Sequence, residues 1–212
     1  MESQIDLQGI KRLYKIKAKE SFKARFDLLL FKHIIEGDNY PITVLELDAF
    51  KIDENGVFKK YLNVYWQKAR YDKVDEIIIE NIYIAMMKWR KEQKISIDNL
   101  QNHYVNKTFL NVFPFEEFAE FVRAKRECEY CHITEKRIQT LITALQLNTK
   151  KDTRGLTLEI DRKKPNHEYT KDNCVWCCYW CNNAKTDEFS FEEYKKIGKI
   201  IESIWTDRLN RQ

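Results

Sequence analysis

Through the first hundred residues, apolar positions recur mostly at helical rather than alternating spacing. In KESFKARFDLLLFKHIIEG, residues 19–37, Phe22, Phe26, Leu29, Leu30 and His33 or Ile34 fall on one face. That predicts an amphipathic helix with Gly37 as its stop and His33 as a packed core histidine. PITVLELDAFKI, residues 41–52, is β-branched at its start and reads either as a strand or as the lead into another helix. IIIENIYIAMMKWRKEQK, residues 77–94, reads as a buried helix with a basic exit. Residues 1–106 are therefore expected to form a helical region, with no internal repeat and no convincing helix-turn-helix.

The pattern changes near residue 107. FPFEEFAEFVRAKRECEYCHIT predicts a short amphipathic helix running into Cys128-Glu-Tyr-Cys131. EKRIQTLITALQL, 135–147, predicts a further helix, and the charged stretch up to Gly155 a loop. LTLEID alternates apolar and polar, the signature of a strand. A polar loop follows over 163–173, then a second short strand at CVW and a helix from Tyr179 to Lys185. Ser190 and Glu193 are spaced as a capping box. The helix they open carries Phe191, Tyr194, Ile197, Ile201 and Ile204 on one stripe. The expected fold class is α+β, mostly α: the helical region 1–106, then a module over 107–212 that ends in a C-terminal helix.

Composition narrows this picture. The 212 residues suit one medium domain or two small ones, and 43% of them are hydrophobic, enough for a real core. Only 5 glycines and 3 prolines favour long helices over a many-turned β fold. The net charge of +4 says little by itself about nucleic acid. No run approaches the roughly 18 apolar residues of a membrane helix. The start lacks the apolar core of a signal peptide. A cytoplasmic protein without membrane association is expected.

In that setting the 6 cysteines point to metal rather than disulfides, because all lie between 128 and 181. Structural zinc takes four thiolates or imidazoles in a tetrahedron, and two C-x-x-C knuckles supply that geometry. Cys128/Cys131 is one knuckle. Cys178/Cys181 is expected as the other, although Cys174/Cys177 has the same spacing. The long interval between the knuckles means that a folded element, the strand–loop–strand, is clamped between them.

A second cation is suggested by oxygen donors in the same segment. Phosphodiester hydrolysis calls for a divalent metal, a base for the attacking water and positive charge for the developing oxyanion. Mg²⁺ prefers hard oxygens. Asp161 at a strand end and Asn182 at a helix start are candidates for two of them. Arg154, Arg162, Lys163 and Lys164, with Lys150 and Lys151, form a basic rim suited to phosphate backbone.

Taken together, C-x-x-C, LEIDR, Asn173 and C-x-x-C-N-x-A-K-x-D resemble the HNH endonuclease family and its ββα-metal motif, over residues 115 to 187. The resemblance implies Asp161 and Asn182 as ligands of a catalytic Mg²⁺ or Mn²⁺, Asn173 as the residue that ties the loop together, and Lys185, on the face of Asn182, as a DNA contact beside Arg154, Lys163 and Lys164. It also implies DNA as the partner, with RNA as the other nucleic acid to test. One module cuts one strand, so double-strand cleavage needs two copies, as a homodimer would supply, or two encounters. The family's general-base histidine directly follows the Asp; here that position is Arg162. In the subgroup with Asp-Arg followed by Tyr and Asn, the tyrosine, here Tyr169, takes over water activation and the arginine contacts phosphate. His167 is the alternative base, with His132 and His103 behind it. The competing expectation is a catalytically inactive zinc module that binds nucleic acid or a protein partner.

Overall fold

The computed structural model describes residues 6–38, 40–51, 73–148, 154–186 and 189–211; Lys150 and Lys151 of the expected rim lie outside them. The described residues are mostly helical with one two-stranded antiparallel sheet, as the α+β expectation has it. The chain forms two compact units, Arg12–Phe115 with Asn166–Tyr169, and Met1–Lys11 with Glu116–Pro165 and Thr170–Gln212. Residues 107–115, placed by sequence with the C-terminal module, cluster with the helical unit.

The helical unit is built mainly on α1 (Leu7–Ile35), whose Phe22, Phe26, Leu29, Leu30 and His33 are buried as the periodicity predicts. Gly37 ends it at φ +78, a left-handed conformation that costs glycine least, and the Asp38 N–H returns to the His33 carbonyl. PITVLELDAFKI resolves to a helix, α2 (Val44–Ala49): Thr43 and Glu46 form a full capping box, which outweighs the β-branched start. α3 (Lys73–Glu92) corrects another expectation. It is not buried all round; Met86 and Trp89 are inside, while Ile84 and Met87 are exposed. α4 (Lys94–His103) runs into a π turn at Tyr104–Thr108 and then α5 (Phe109–Val112). Tyr104 and Phe109 complete an aromatic core with Phe22 and Phe26.

In the other unit, α6 (Phe115–Arg123) buries Phe118, Ala119 and Val122, and α7 (Glu135–Thr143), capped by Thr134, buries Ile138 and Leu141. Strands β1 (Glu159–Arg162) and β2 (Cys174–Cys177) pair with Asp161 opposite Val175. Asn173 closes the connection between them. Its side chain takes the Lys164 N–H at 2.8 Å and donates to the Lys164 carbonyl at 3.2 Å. α8 (Tyr179–Lys185) follows β2 directly, and α9 (Phe191–Asn210) starts at the predicted capping box. On α9 the stripe differs in its second half. Trp205 is buried and Ile204 exposed, and the stripe passes through Gly198.

Gly198 lies at a close approach. A Cβ there would sit 2.3 Å from the backbone carbonyl oxygen of Tyr130. Gly198→Ala is therefore expected to destabilise the fold at the upper end of the roughly 1–3 kcal/mol typical of overpacking, because a backbone carbonyl cannot swing aside as a side chain can. Denaturant unfolding checks this; an unchanged midpoint would mean that α9 is not seated on this carbonyl.

Candidate metal centre and the strand–helix surface beside it

Four sulfurs come together in the second unit. The Sγ atoms of Cys128, Cys131, Cys178 and Cys181 all lie within 4.8 Å of one another, and all four residues are buried. Cys131 and Cys178 are 3.6 Å apart. That is too long for a disulfide, at about 2.05 Å, and close to the edge of a tetrahedron with metal–sulfur bonds of roughly 2.3 Å. The second knuckle is thus Cys178/Cys181. Cys174 and Cys177 are buried on β2 instead.

Local structure sets the sulfurs in place. His132 adopts φ +51, which turns the first knuckle, and its N–H returns to the Cys128 carbonyl. The Glu129 N–H bonds the Trp176 carbonyl at 2.8 Å, which fixes that knuckle to β2. Cys178 is the N-cap of α8, with its sulfur accepting from the Cys181 N–H.

The charge balance of the cluster fits a cation. Hydrogen bonds from Cys131 and the other thiols hold Cys128 far below the ordinary thiol range. Hydrogen bonding to Cys128, with burial, pushes Cys178 and Cys181 far above it. Four buried thiols ionise together only if a metal supplies positive charge. Tyr194 adds a second sign. Its buried hydroxyl has no oxygen or nitrogen partner among the described residues, and a Cys181 thiolate beside it is an acceptor that would satisfy it. The donor set suits a tetrahedral metal such as zinc.

Beside the sulfurs, one face of β1 meets one face of α8. Glu159 and Asp161 are two apart on the strand and share a face; Asn182 and Lys185 are three apart on the helix and share another. Asn182 Nδ2 donates to Glu159 at 2.6 Å, and Lys185 Nζ donates to Asp161 Oδ2 at 2.9 Å. Asp161 and Asn182 thus occupy adjoining rungs of one strand–helix contact. Asp161 Oδ2 also accepts from the Tyr130 hydroxyl at 3.0 Å. Burial and the Asp161 charge push Tyr130 far above the ordinary phenol range, so it stays the donor. A hard cation here would take Asp161 Oδ1 and the Asn182 amide oxygen.

Other expected residues land less simply. Lys185, expected as a DNA contact, is only 2% exposed, and its ammonium is spent on Asp161 and on the Arg162 carbonyl at 2.6 Å. A buried ammonium cannot reach a phosphate backbone. Arg162 pairs with Cys174 in the register, so its side chain leaves β1 from the face opposite Asp161. Arg154 is exposed and bidentate to Glu159 at 2.9 and 3.2 Å. Lys163 lies over the Phe191 ring. Of the remaining histidines, His103 bonds Asp48 at 3.0 Å and His132 lies 3.8 Å from Glu127.

Tyr169 and His167 belong to the helical unit, in the segment Asn166–Tyr169. There Lys17, Ser21 and Arg25, each four residues apart on α1, hold that segment. Lys17 donates to the Tyr169 hydroxyl at 3.1 Å, Ser21 Oγ accepts the Tyr169 N–H at 2.9 Å, and Arg25 pairs with Glu168 at 2.8 Å. Tyr104, from the π turn, donates to the other Glu168 oxygen. Tyr169 is 4% exposed.

Sequence reasoning missed three of these participants. Glu159 was readable, since it stands two positions before Asp161 in an alternating strand. Tyr130 and Lys17 were not, since only the folded chain brings them to Asp161 and Tyr169.

No family model and no curated protein matches the chain. Among solved structures it is similar to the rare-cutting HNH restriction endonuclease PacI, at 27% identity, over 51% of this chain and 77% of that one. The TM-score is 0.39, too low for the likeness to carry over a fold or an activity.

Proposed function

We propose that this chain is a metal-dependent endonuclease of HNH type that hydrolyses phosphodiester bonds in DNA, in restriction, phage defence or a mobile element. Zinc is structural at the four cysteines, and Mg²⁺ or Mn²⁺ binds at Asp161 and Asn182. The observation that supports this most is the juxtaposition of that carboxylate and that amide on facing surfaces of β1 and α8, with α8 capped by a sulfur of the cluster. Bound there, the divalent cation would polarise a phosphoryl oxygen and stabilise the charge that develops on it. In this reading Tyr169 takes the proton of the attacking water, with His167 as the alternative, and Arg162 contacts phosphate. The rim of Arg154, Lys163 and Lys164 binds the backbone, so affinity should fall steeply with salt. The chain works as a homodimer where both strands are cut, and the region 1–106 serves dimerisation or DNA grip.

Incubation with supercoiled plasmid and Mg²⁺ or Mn²⁺ is expected to give nicked circles. Asn182→Ala should lower the rate by about 100-fold or more, beyond the roughly 10- to 100-fold typical of losing an outer-shell partner. Equal nicking by both proteins would refute the assignment. Replacing the plasmid by RNA tests the substrate class, and Tyr169→Phe against His167→Ala separates the two bases.

A second reading is supported by Arg162 in the histidine position and by the buried ammonium already bound to Asp161. In that reading the chain is a non-catalytic zinc module. It predicts salt-sensitive DNA retention with no cleavage under any divalent metal.

A further inference from the structure

We infer that Tyr130 and Lys185 are positioning residues that aim Asp161 at its cation, and that the two sulfur knuckles, by carrying them, set that aim. The inference rests on the proposed metal role of Asp161. Tyr130 stands inside the first knuckle, directly before Cys131. Lys185 stands four residues after Cys181, one turn along α8 from the second knuckle. From these two directions both side chains end on the same atom, Asp161 Oδ2, at 3.0 and 2.9 Å.

The consequence is orientational. The carboxyl torsion of an aspartate is broad and nearly two-fold, so a free carboxylate presents either oxygen. Two donors on one oxygen fix the plane of the group and leave Oδ1 to any further ligand. Single-oxygen coordination is what a small cation that keeps most of its waters takes from a protein.

Each donor is itself held. The Tyr130 ring packs edge-on against Tyr194 at 5.0 Å and Phe191 at 5.7 Å, and its carbonyl rests on Gly198. Lys185 is tied to the Arg162 carbonyl at 2.6 Å and lies 5.7 Å from the Tyr130 ring centroid. Phenol, ammonium and carboxylate therefore lock one another, and a shift of either knuckle is passed to Asp161. Tetrahedral metal at the sulfurs holds the knuckles at one spacing.

The test is Mn²⁺ binding to the full chain loaded with one zinc, followed by the electron paramagnetic resonance of free Mn²⁺. Tyr130→Phe removes only the hydroxyl. It is expected to keep its zinc and to bind Mn²⁺ roughly 10-fold or more weakly, the scale of a lost outer-shell partner. Asp161→Asn is expected to abolish binding. A second measurement needs no variant. Zinc displaced from the wild type by an organomercurial, and removed by gel filtration, should take Mn²⁺ affinity down with it. Mn²⁺ binding within about twofold of wild type in zinc-loaded Tyr130→Phe, or unchanged after zinc release, would overturn the inference. If Asp161→Asn binds Mn²⁺ as the wild type does, or the wild type binds none, the metal role of Asp161 falls and the positioning role with it.

Discussion

Cys178→Ala is expected to abolish the proposed zinc binding and unfold the module that holds the cluster, whereas Cys174→Ala should leave zinc content unchanged. The two cysteines stand four residues apart, and both are buried. Only Cys178 is among the four sulfurs that meet within 4.8 Å. Structural zinc in small sites contributes an apparent binding free energy of about 10–16 kcal/mol, which is folding free energy when no site exists in the unfolded chain. That exceeds the whole stability of many domains, about 5–15 kcal/mol. The cluster joins elements far apart in sequence: Cys128 and Cys131 before α7, Cys178 and Cys181 at the start of α8. Without metal, four buried thiolates would have no countercharge, so the thiols stay protonated and the knuckles are no longer tied together. Zinc release measured with a colorimetric chelator, alongside circular dichroism, separates the two variants. Zinc lost from Cys174→Ala and kept by Cys178→Ala would reverse the choice of knuckle.

Asp161→Ala carries the second large expected effect, and it is on stability before it is on activity. The Lys185 side chain is 3% exposed and that of Asp161 14%. Removing one partner of such a pair leaves a buried charge uncompensated, at a cost of about 3–5 kcal/mol. The ammonium would keep only the Arg162 carbonyl. Adding Lys185→Met to Asp161→Ala should recover much of the loss. A double-mutant cycle in denaturant measures the coupling between the two. If Asp161→Ala unfolds at the wild-type midpoint, the ion pair does not support the fold. An inactive Asp161→Ala protein would accordingly be ambiguous as a nuclease control. Asn182→Ala removes one hydrogen bond, to a Glu159 that Arg154 still holds, so it is expected to cost only about 1 kcal/mol.

Most of the cysteine-bearing module could be read from the residues, because its signals are local or chemical. Alternation marks β1, the capping box marks the start of α9, and cysteine spacing narrows the sulfurs to two arrangements. What escaped depends on distance along the chain or on competition between local signals. Lys185 resembles any helix-end lysine, since nothing nearby in sequence shows that Asp161 and the Arg162 carbonyl will enclose it. Tyr169 looks like a residue of a polar loop, yet its partners Lys17 and Ser21 lie about 150 positions away. The apolar content of α3 suggested full burial, whereas among its described side chains Met86 and Trp89 are covered and Ile84 and Met87 are not. At residues 41–52 the capping pair at Thr43 and Glu46 overrode strand propensity.

The interleaved course of the backbone has a practical consequence. Asn166–Tyr169 lies between the strands in sequence but is gripped by Lys17, Ser21 and Arg25. A fragment beginning at Glu116 would therefore carry that tetrapeptide away from every one of those side chains. No single cut in the polypeptide yields either unit intact, so half-molecules would be unreliable stand-ins for the whole chain.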